Sequence, residues 1–351
     1  MKALIESRIK KLSDEISKEG CDGYIATRAH NIFYFTGFWG SGYFLLKGER
    51  AKLLTSVLEL DRAARSSSVP VEKISKSIAE EIESFFGQSK VCIDESFAST
   101  YIQLSEKISL KRSLAAERLR EVKDSEEKSA LAEGGKIMDL VFEKALVKIK
   151  ENISERELYS EIVKEIISLG ADVIPYEDTI GTEIVAFGPN TAYPHYSPPG
   201  DYKLKPGDPI LLDLTLRFKG YIVDFTRTVF YKSASEKQKE VYYKVKEAQE
   251  LGIKMLKPGV KAKDLDLAVR EFFKEEKDRF VHSLGHGIGL EVHELPYISS
   301  RSEDAVKEGS AVTIEPGLYY PGFLGVRIED SLIVESEPKN LFKATKDLLI
   351  V

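Results

Sequence analysis

The chain has 351 residues, of which 42% are apolar, and it carries a formal net charge of −6. This length is typical of two domains or one large domain, and the apolar share is enough for a sizeable core. The negative charge argues against a surface that binds nucleic acid or an anionic membrane. No apolar run approaches the roughly 18 residues of a membrane span, so we expect no membrane partner.

The two cysteines, Cys21 and Cys92, are far apart in the chain. Neither is close in sequence to the other or to the histidine cluster at residues 282–293, so we expect reduced thiols and a cytoplasmic location. The N-terminal segment alternates charged and apolar residues, which is not the pattern of a signal peptide. Charged residues make up 31% of the chain, a composition compatible with a thermophilic source.

The first third of the chain predicts alternating helices and strands. Residues 2–19 have helical spacing, and "CDGYIAT" then predicts a strand. Further strands are predicted at "NIFYFTGF", "GYFLLKG" and "KVCID", and further helices at "LELDRAARSS", "SIAEEIESFFG" and "TYIQLSEKISL". We expect residues 1–118 to form a small α/β domain.

Residues 119–351 form the second predicted domain, after a strongly charged stretch that begins at Lys111. Here one order of elements occurs twice, because two helical segments precede a hairpin in each half. The predicted ranges are about 124–151, 155–169 and 209–230, then about 235–256, 262–276 and 310–335. This order indicates an α+β domain built from two similar halves that face each other.

The first hairpin carries two aspartates. Apolar and polar residues alternate on both sides of "RFKG", which is typical of a β-hairpin. A loop centred between Phe218 and Lys219 makes Asp213 and Asp224 direct cross-strand partners, with Cβ atoms about 5 Å apart. Their apolar flanks predict that the pair is buried, and buried carboxylates need protons or cations.

The second hairpin carries two glutamates in the same way. Glu315 and Glu329 are symmetric about Gly322, so a turn at "PGF" sets them opposite each other between apolar flanks. His286 precedes this hairpin in "VHSLGHGIGLEVHELP". Four carboxylates and an imidazole suit two divalent ions about 3.5–4 Å apart. For either hairpin taken alone, a surface pair of like charges is the alternative.

Four stretches of the second domain resemble the pita-bread metallopeptidases, specifically the Xaa-Pro dipeptidases (prolidases) and Xaa-Pro aminopeptidases. They are "GPNTAYPHY", "LLDLTLRFKGYIVDFTRTV", "HSLGHGIGLEVHELP" and "TIEPGLYYPGFLGVRIED", in the family's order and spacing. The N-terminal part, with "NIFYFTGF", resembles the family's accessory domain. The resemblance implies a two-domain α+β protein with a small creatinase-like α/β domain and a pita-bread (creatinase/aminopeptidase-like) catalytic domain.

The resemblance also implies a metal-ligand set. Asp213 would bind one ion, His286 and Glu315 the other, and Asp224 and Glu329 would bridge both. The expected ions are two Mn²⁺ or Co²⁺ per subunit, with Zn²⁺ as the alternative. A homodimer is also implied.

Other positions match residues around the substrate. His195 and His293 match the two histidines that flank it, and Glu315 is expected to accept a proton from the attacking water. Thr226, Arg227 and Arg327 are candidates for orienting the metal-binding carboxylates. Neutralisation of surface carboxylates is the alternative for the two arginines.

Tyr297 departs from the family pattern. Many prolidases carry Arg four residues after the histidine matched by His293, where it can bind the free carboxylate of a dipeptide. Tyrosine offers a hydrogen bond but no positive charge, and Arg301 is a possible substitute. We expect Tyr297 to contact the substrate.

The implied reaction is hydrolysis of the peptide bond before proline in Xaa-Pro dipeptides by a metal-bridging hydroxide. The first alternative is an Xaa-Pro aminopeptidase (aminopeptidase P type) that acts on longer peptides. Alternatives from other classes are a non-catalytic binding protein on the same fold and a metal-free creatinase-like hydrolase. Two further features stay open at this stage. His282 is interpreted as a packing residue, and Trp39 as part of a lid, an interface or the core.

Overall fold

The computed structural model describes residues 2–174 and 183–351. Residues 1–120 form one compact unit and residues 121–351 another. The boundary predicted from the sequence follows residue 118. No helix in the described ranges is long and apolar enough to cross a membrane.

The first unit is a six-stranded mixed sheet with helices. Its helices are α1 (Lys2–Lys18), α2 (Ala29–Thr36), α3 (Leu60–Ser66), α4 (Ile78–Phe86), α5 (Ala98–Ser105) and α6 (Ala115–Glu121). Its strands are β1 (Gly23–Ala26), β2 (Tyr43–Lys47), β3 (Arg50–Thr55), β4 (Val71–Lys73), β5 (Lys90–Ile93) and β6 (Ser109–Arg112). The strand order is β4-β3-β2-β1-β5-β6.

One element of this unit contradicts the sequence prediction. "NIFYFTGF" was expected to be a strand, but most of it lies in helix α2. The helix ends at Gly37, which adopts the left-handed conformation at φ 80°, a common way to end a helix. Because nearly every residue of α2 is buried, its sequence shows no polar face, and a short apolar run of this kind fits either element.

The expectation of reduced thiols is wrong. Cys21 and Cys92 form a disulfide with a Cα–Cα distance of 5.7 Å. Strand β1 pairs with β5, and this pairing brings the segment before β1 beside Cys92. The adjacency arises from the sheet order, which the separation of 71 residues along the chain conceals. The cysteines therefore no longer support the predicted cytoplasmic location.

The second unit holds four helices and ten strands in the described residues. The helices are α7 (Ser125–Lys148), α8 (Glu155–Ser168), α9 (Glu236–Met255) and α10 (Ala262–Phe273). The strands are β7 (Ile184–Phe187), β8 (Pro209–Phe218), β9 (Tyr221–Phe230), β10 (Gly285–Gly287), β11 (Glu294–Ile298), β12 (Ala311–Ile314), β13 (Gly317–Tyr320), β14 (Leu324–Arg327), β15 (Asp330–Ile333) and β16 (Lys339–Asn340). Capping boxes at Asp124, Ser154 and Ser235 fix the first turns of α7, α8 and α9.

The first hairpin exists, but its register differs from the prediction. Asp213 pairs with Thr226 and Asp224 pairs with Thr215, so the aspartates are diagonal and not directly opposite. The cause is a two-residue turn at Lys219 and Gly220, both in the left-handed region with φ 51° and 90°, as tight hairpin turns require. Moving the turn centre by one residue moves each partner by two, so both aspartates stay on one face.

The second hairpin has the predicted register. Strand β12 pairs with β15 so that Ile314 opposes Asp330, and β13 pairs with β14 so that Gly317 opposes Arg327. Both pairings are symmetric about Gly322, which has φ 77° in the turn. The hairpin is interrupted between its two ladders, and Glu315 and Glu329 lie in that interruption.

Candidate active site

A cavity of about 310 Å³ lies in the second unit. The two hairpins, β10 and the segments that follow β7 and α10 contribute to its walls. All five predicted metal ligands line it, together with the predicted substrate contacts: Asp213, Asp224, His286, Glu315 and Glu329, with His195, His293 and Tyr297. Sequence positions more than 130 residues apart thus meet in one cavity.

The backbone explains how the four carboxylates converge. Asp213 is paired with Thr226 across the first hairpin. Thr226 is in turn bridged to Glu329 of the second hairpin, with Glu329 N donating to Thr226 O at 3.0 Å. The register of the second hairpin brings Glu315 to the position opposite Glu329. Asp224 pairs with Thr215 and therefore lies diagonally across the first hairpin from Asp213.

Two of these carboxylates are deeply buried and incompletely hydrogen-bonded. Asp224 is 5% exposed and Glu329 is 1% exposed. Asp224 Oδ1 and Glu329 Oε1 have no hydrogen-bond partner among the described residues. Burial, together with the neighbouring carboxylates, raises the pKa of both groups well above the ordinary value. Such oxygens need either a proton or a bound cation.

The hydrogen bonding of His286 leaves its Nε2 atom available as a metal ligand. Its Nδ1 lies 3.0 Å from the carbonyl oxygen of Gly287, and because a carbonyl only accepts, Nδ1 carries the proton. Burial lowers the pKa of His286, so the ring is neutral. Nε2 therefore presents a lone pair, 3.3 Å from Glu315 Oε1 and 3.9 Å from Asp224 Oδ2.

Glycines on both sides of His286 allow its strand to fit. A Cβ at Gly285 would lie 2.0 Å from Thr313 O, and one at Gly287 would lie 2.1 Å from Leu295 O. Strand β10 is held between β11 and β12, so side chains at these positions would push the strands apart. The glycines thereby fix the position of the imidazole between the two hairpins.

The donor set suits a divalent cation. One ligand atom each of Asp224, His286 and Glu329 lies within 4.8 Å of the others, and all three residues are buried. Carboxylate oxygens with one imidazole nitrogen are the ligands that Mn²⁺, Co²⁺ and Zn²⁺ accept. The residues present therefore fit the implied metal.

Thr226 and Arg327 contact the predicted ligands directly. Thr226 Oγ1 donates to Glu329 Oε2 at 2.6 Å, and Arg327 NH2 donates to Asp213 Oδ2 at 2.5 Å. Arg227 is 1% exposed and Arg327 is 3% exposed, so neutralisation of surface carboxylates is wrong for both. Arg227 donates to the carbonyl oxygen of Glu329 at 2.7 Å.

His282 and Tyr319 form a contact that the sequence prediction missed. His282 lines the cavity, and its Nε2 lies 2.8 Å from the Tyr319 hydroxyl. The same hydroxyl accepts a hydrogen bond from Arg327 NH1 at 2.7 Å. His282 is thus a hydrogen-bonded residue of the cavity wall and not only a packing residue. Tyr319 lies in the aromatic run "GLYYPG", which gives no sign of this contact.

His195 and His293 face the cavity from irregular chain segments. Partial burial lowers the pKa of both rings, with Arg327 adding to the effect at His195 and His286 at His293. The His293 and His286 ring centroids are 4.3 Å apart. Both rings are therefore uncharged at neutral pH, and each can donate one hydrogen bond to a ligand.

Tyr297 lies in strand β11 at the cavity and is 49% exposed. Arg301, the possible substitute for the missing arginine, is exposed and is absent from the described lining of the cavity. Trp39, in the first unit, is half-buried, with its ring 5.1 Å from Phe33 and 5.5 Å from His30.

Comparison with known families matches residues 129–336 to Metallopeptidase family M24 and residues 8–122 to the Creatinase/Prolidase N-terminal domain. The chain belongs to metallopeptidase family M24. It is 35% identical to a Xaa-Pro dipeptidase of Pyrococcus furiosus, over 98% of this chain and all of that protein.

Solved structures agree with this assignment. A Xaa-Pro dipeptidase from Bacillus anthracis has a TM-score of 0.91 at 31% identity and covers 99% of this chain and 100% of its own. An X-Pro aminopeptidase from Thermotoga maritima has a TM-score of 0.88 at 28% identity, covering 98% and 99%. The predicted two-domain pita-bread architecture is confirmed. The chain is a metallopeptidase, and membership of family M24 implies divalent metal ions.

Proposed function

We propose that this M24 metallopeptidase hydrolyses the peptide bond before proline in Xaa-Pro dipeptides, using two divalent ions held by Asp213, Asp224, His286, Glu315 and Glu329. The observation that carries the proposal is the pair of orphaned oxygens, Asp224 Oδ1 and Glu329 Oε1, at the cavity of the second unit. Other buried carboxylate oxygens also lack a partner among the described residues. Asp224 and Glu329 differ because they line one cavity together with His286, so a bound ion is the simplest reason to retain them.

The residues around the metals divide the chemical work. Bound divalent ions would lower the pKa of a water molecule and polarise the scissile carbonyl. Glu315 would accept the proton of that water and pass it to the prolyl nitrogen, which has no hydrogen of its own in the peptide bond. In the metal-free protein, burial raises the pKa of Glu315 to about 8.

His195 and His293 would bind the substrate on either side of the scissile bond. Their neutral rings can each donate one hydrogen bond to a carbonyl oxygen, which gains charge as the tetrahedral intermediate forms. Thr226 and Arg327 would keep Glu329 and Asp213 in place through the contacts described above.

Two observations bear on the length of the substrate. The cavity of about 310 Å³ is at the lower end of the range of about 300–1,000 Å³ for ligand pockets, which favours a dipeptide. Tyr297 offers no positive charge for a terminal carboxylate, which favours the second candidate, an Xaa-Pro aminopeptidase of the aminopeptidase P type. The choice rests on the cavity size and on the dipeptidase relatives.

A direct comparison of substrates tests the proposal. The chain is stripped of metal, reloaded with Mn²⁺ or Co²⁺, and assayed with a Xaa-Pro dipeptide, a Xaa-Pro-Yaa tripeptide and a Xaa-Ala dipeptide. We expect the Xaa-Pro dipeptide to give the highest kcat/KM and Asp213→Asn to abolish turnover. A preference for the tripeptide would replace the dipeptidase assignment with the aminopeptidase, and undiminished activity of Asp213→Asn would exclude the metal mechanism.

The proposal includes a homodimer and a cytoplasmic location, both expected from the sequence. The disulfide is compatible with that location in hyperthermophiles, whose intracellular proteins are often disulfide-rich. Sedimentation of the purified chain checks the dimer.

A further inference from the structure

The segment that carries His195 has little regular structure of its own. After β7 it forms one 3-10 turn, Gly188–Ala192, and then continues as irregular chain to Gly200. A histidine that acts on a substrate must be held to within about 0.5 Å. Because no helix or strand supplies that rigidity here, side-chain contacts must do so.

One buried carboxylate holds both ends of this segment. Glu155, at the start of α8, is 0% exposed. Its two oxygens each accept two hydrogen bonds from the segment. The donors are Phe187 N at 2.8 Å and Asn190 Nδ2 at 2.9 Å to Oε1, and the Tyr196 hydroxyl at 2.9 Å and Gly200 N at 3.1 Å to Oε2. The first two donors precede His195 in the chain and the last two follow it.

Local structure fixes the carboxylate itself. The capping box of Ser154 and Glu157 sets the first turn of α8, where Glu155 lies. At the other end, a Cβ on Gly200 would lie 2.6 Å from the Tyr196 hydroxyl and 3.0 Å from Glu155 Oε2. Only glycine lets the carboxylate reach the backbone at that position.

The opposite side of the segment is attached to β14, a strand of the second hairpin. Thr191 Oγ1 accepts a hydrogen bond from Gly325 N at 2.8 Å, and Pro194 O accepts one from Arg327 NH1 at 3.3 Å. The His195 segment is therefore held between Glu155 on one side and β14 on the other.

We propose that Glu155 is a positioning residue for His195, which acts by clamping the segment on both sides of that histidine. Its kinetic consequence rests on the proposed peptidase function. A carboxylate is needed because it accepts at both oxygens, whereas a glutamine amide accepts at one only. In Glu155→Gln, the Tyr196 hydroxyl can turn to accept from the new amide, but Gly200 N–H loses its acceptor.

The test compares Glu155→Gln with Glu157→Gln, the same substitution two residues along α8. Glu157 accepts from Ser154 and Lys203, and a glutamine at this position of the capping box can still accept from Ser154. Because the chain has five histidines, histidine-selective ¹³C labelling gives a simple spectrum, and His195→Ala assigns the His195 signal. Spectra are recorded on the full chain with and without Zn²⁺.

We expect Glu155→Gln to move or broaden the His195 signal and to lower kcat by about 10- to 100-fold, with little change in KM. Glu157→Gln should leave the signal in place and kcat within about twofold. The double variant Glu155→Gln/His195→Ala should be no slower than His195→Ala alone, since both substitutions act on the same function, that of His195.

Three results would overturn the proposal: an unchanged His195 signal, a kcat equal to that of Glu157→Gln, or multiplying losses in the double variant. If Glu155→Gln does not fold, Gly200→Ala crowds Glu155 Oε2 from the other end and must produce the same spectral change. If the wild type cleaves no Xaa-Pro peptide, the proposed function fails, and the histidine spectrum still decides the role of Glu155.

Discussion

Two buried aspartates, one in each unit of this chain, have opposite environments. In the first unit, Asp94 is 1% exposed, and both its oxygens accept hydrogen bonds, from the backbone and hydroxyl of Thr27, Arg28 N and Asn31 Nδ2 at 2.8–3.1 Å. In the second unit, Asp224 is 5% exposed, and its Oδ1 has no partner in the described part of the chain.

The difference gives a criterion for the carboxylates that we propose to bind metal. Asp94 and Glu155 each receive at least four hydrogen bonds from the protein and need no ligand. Asp224 and Glu329 each keep an oxygen that the protein does not satisfy, and both face one cavity. Burial alone does not make the distinction, since all four residues are buried.

The largest expected effect is on activity. Asp224→Asn should lower kcat/KM by at least about 1,000-fold, which corresponds to about 4 kcal/mol of transition-state free energy, because the amide is a poor ligand for a divalent ion. Metal content, measured by elemental analysis, should fall in parallel. Asp94→Asn is the matched control and should keep its metal. Full metal content and full activity in Asp224→Asn would mean that Asp224 is not needed to bind the metal, and its contrast with Asp94 would then have no functional meaning.

The disulfide should account for the next largest effect, within the first unit. Replacing Cys21 and Cys92 with serine should reduce its free energy of unfolding by about 4 kcal/mol, the loop-entropy value for a separation near 70 residues. Trp39, the only tryptophan, lies in this unit, so its fluorescence reports the transition in denaturant. A chelator should leave that transition unchanged. An unaltered midpoint in the serine variant would contradict the prediction.

The two hairpins that carry the proposed metal ligands were the most predictable part of the molecule. Alternating strands and a symmetric turn fix which residues share a face, and this reasoning gave the pairing around Gly322 correctly. It was wrong by one residue at the first turn, where the left-handed conformation of Lys219 decides the register. Both aspartates were nevertheless assigned to the correct face of the hairpin, because moving the turn centre by one residue moves each cross-strand partner by two.

Other features depend on contacts that leave no local pattern. The helix α2 is apolar on all sides, so its period is hidden. The disulfide follows from a strand order that places β1 beside β5. Glu155 has the sequence context of an ordinary helix start, and its role depends on a segment more than 30 residues away. Long-range hydrogen bonds of this kind cannot be found from spacing.

The comparison also predicts that Asp94→Asn and Asp224→Asn differ in their effect on the free energy of unfolding of the metal-free protein. Asp94→Asn should lower the free energy of unfolding by about 1–3 kcal/mol, since the amide leaves buried donors without acceptors. Asp224→Asn should raise it or leave it unchanged, since it removes a carboxyl group that must take up a proton when the metal-free protein folds. Urea denaturation with a chelator present measures both. A similar loss in the two variants would mean that Asp224 is satisfied by the protein alone.

The last expected effect is a dependence on pH that metal reverses. Burial raises the pKa of Glu315 from 4.5 to about 8 and raises those of Asp224 and Glu329. Between pH 4.5 and 8 the folded metal-free protein therefore holds protons that the unfolded chain has lost. Its stability should fall as pH rises through this window, by about 1.4 kcal/mol per pH unit for each proton.

A divalent ion takes the place of those protons, so the stability gained on adding Mn²⁺ should increase from pH 5.5 to 7.5. Unfolding by urea at several pH values, with Mn²⁺ and with a chelator, measures this gain. Asp94→Asn should retain the whole effect, whereas Asp224→Asn should lose most of it. A gain that does not change with pH would mean that protons and metal do not compete for the same oxygens, and the orphaned atoms of Asp224 and Glu329 would then need another explanation.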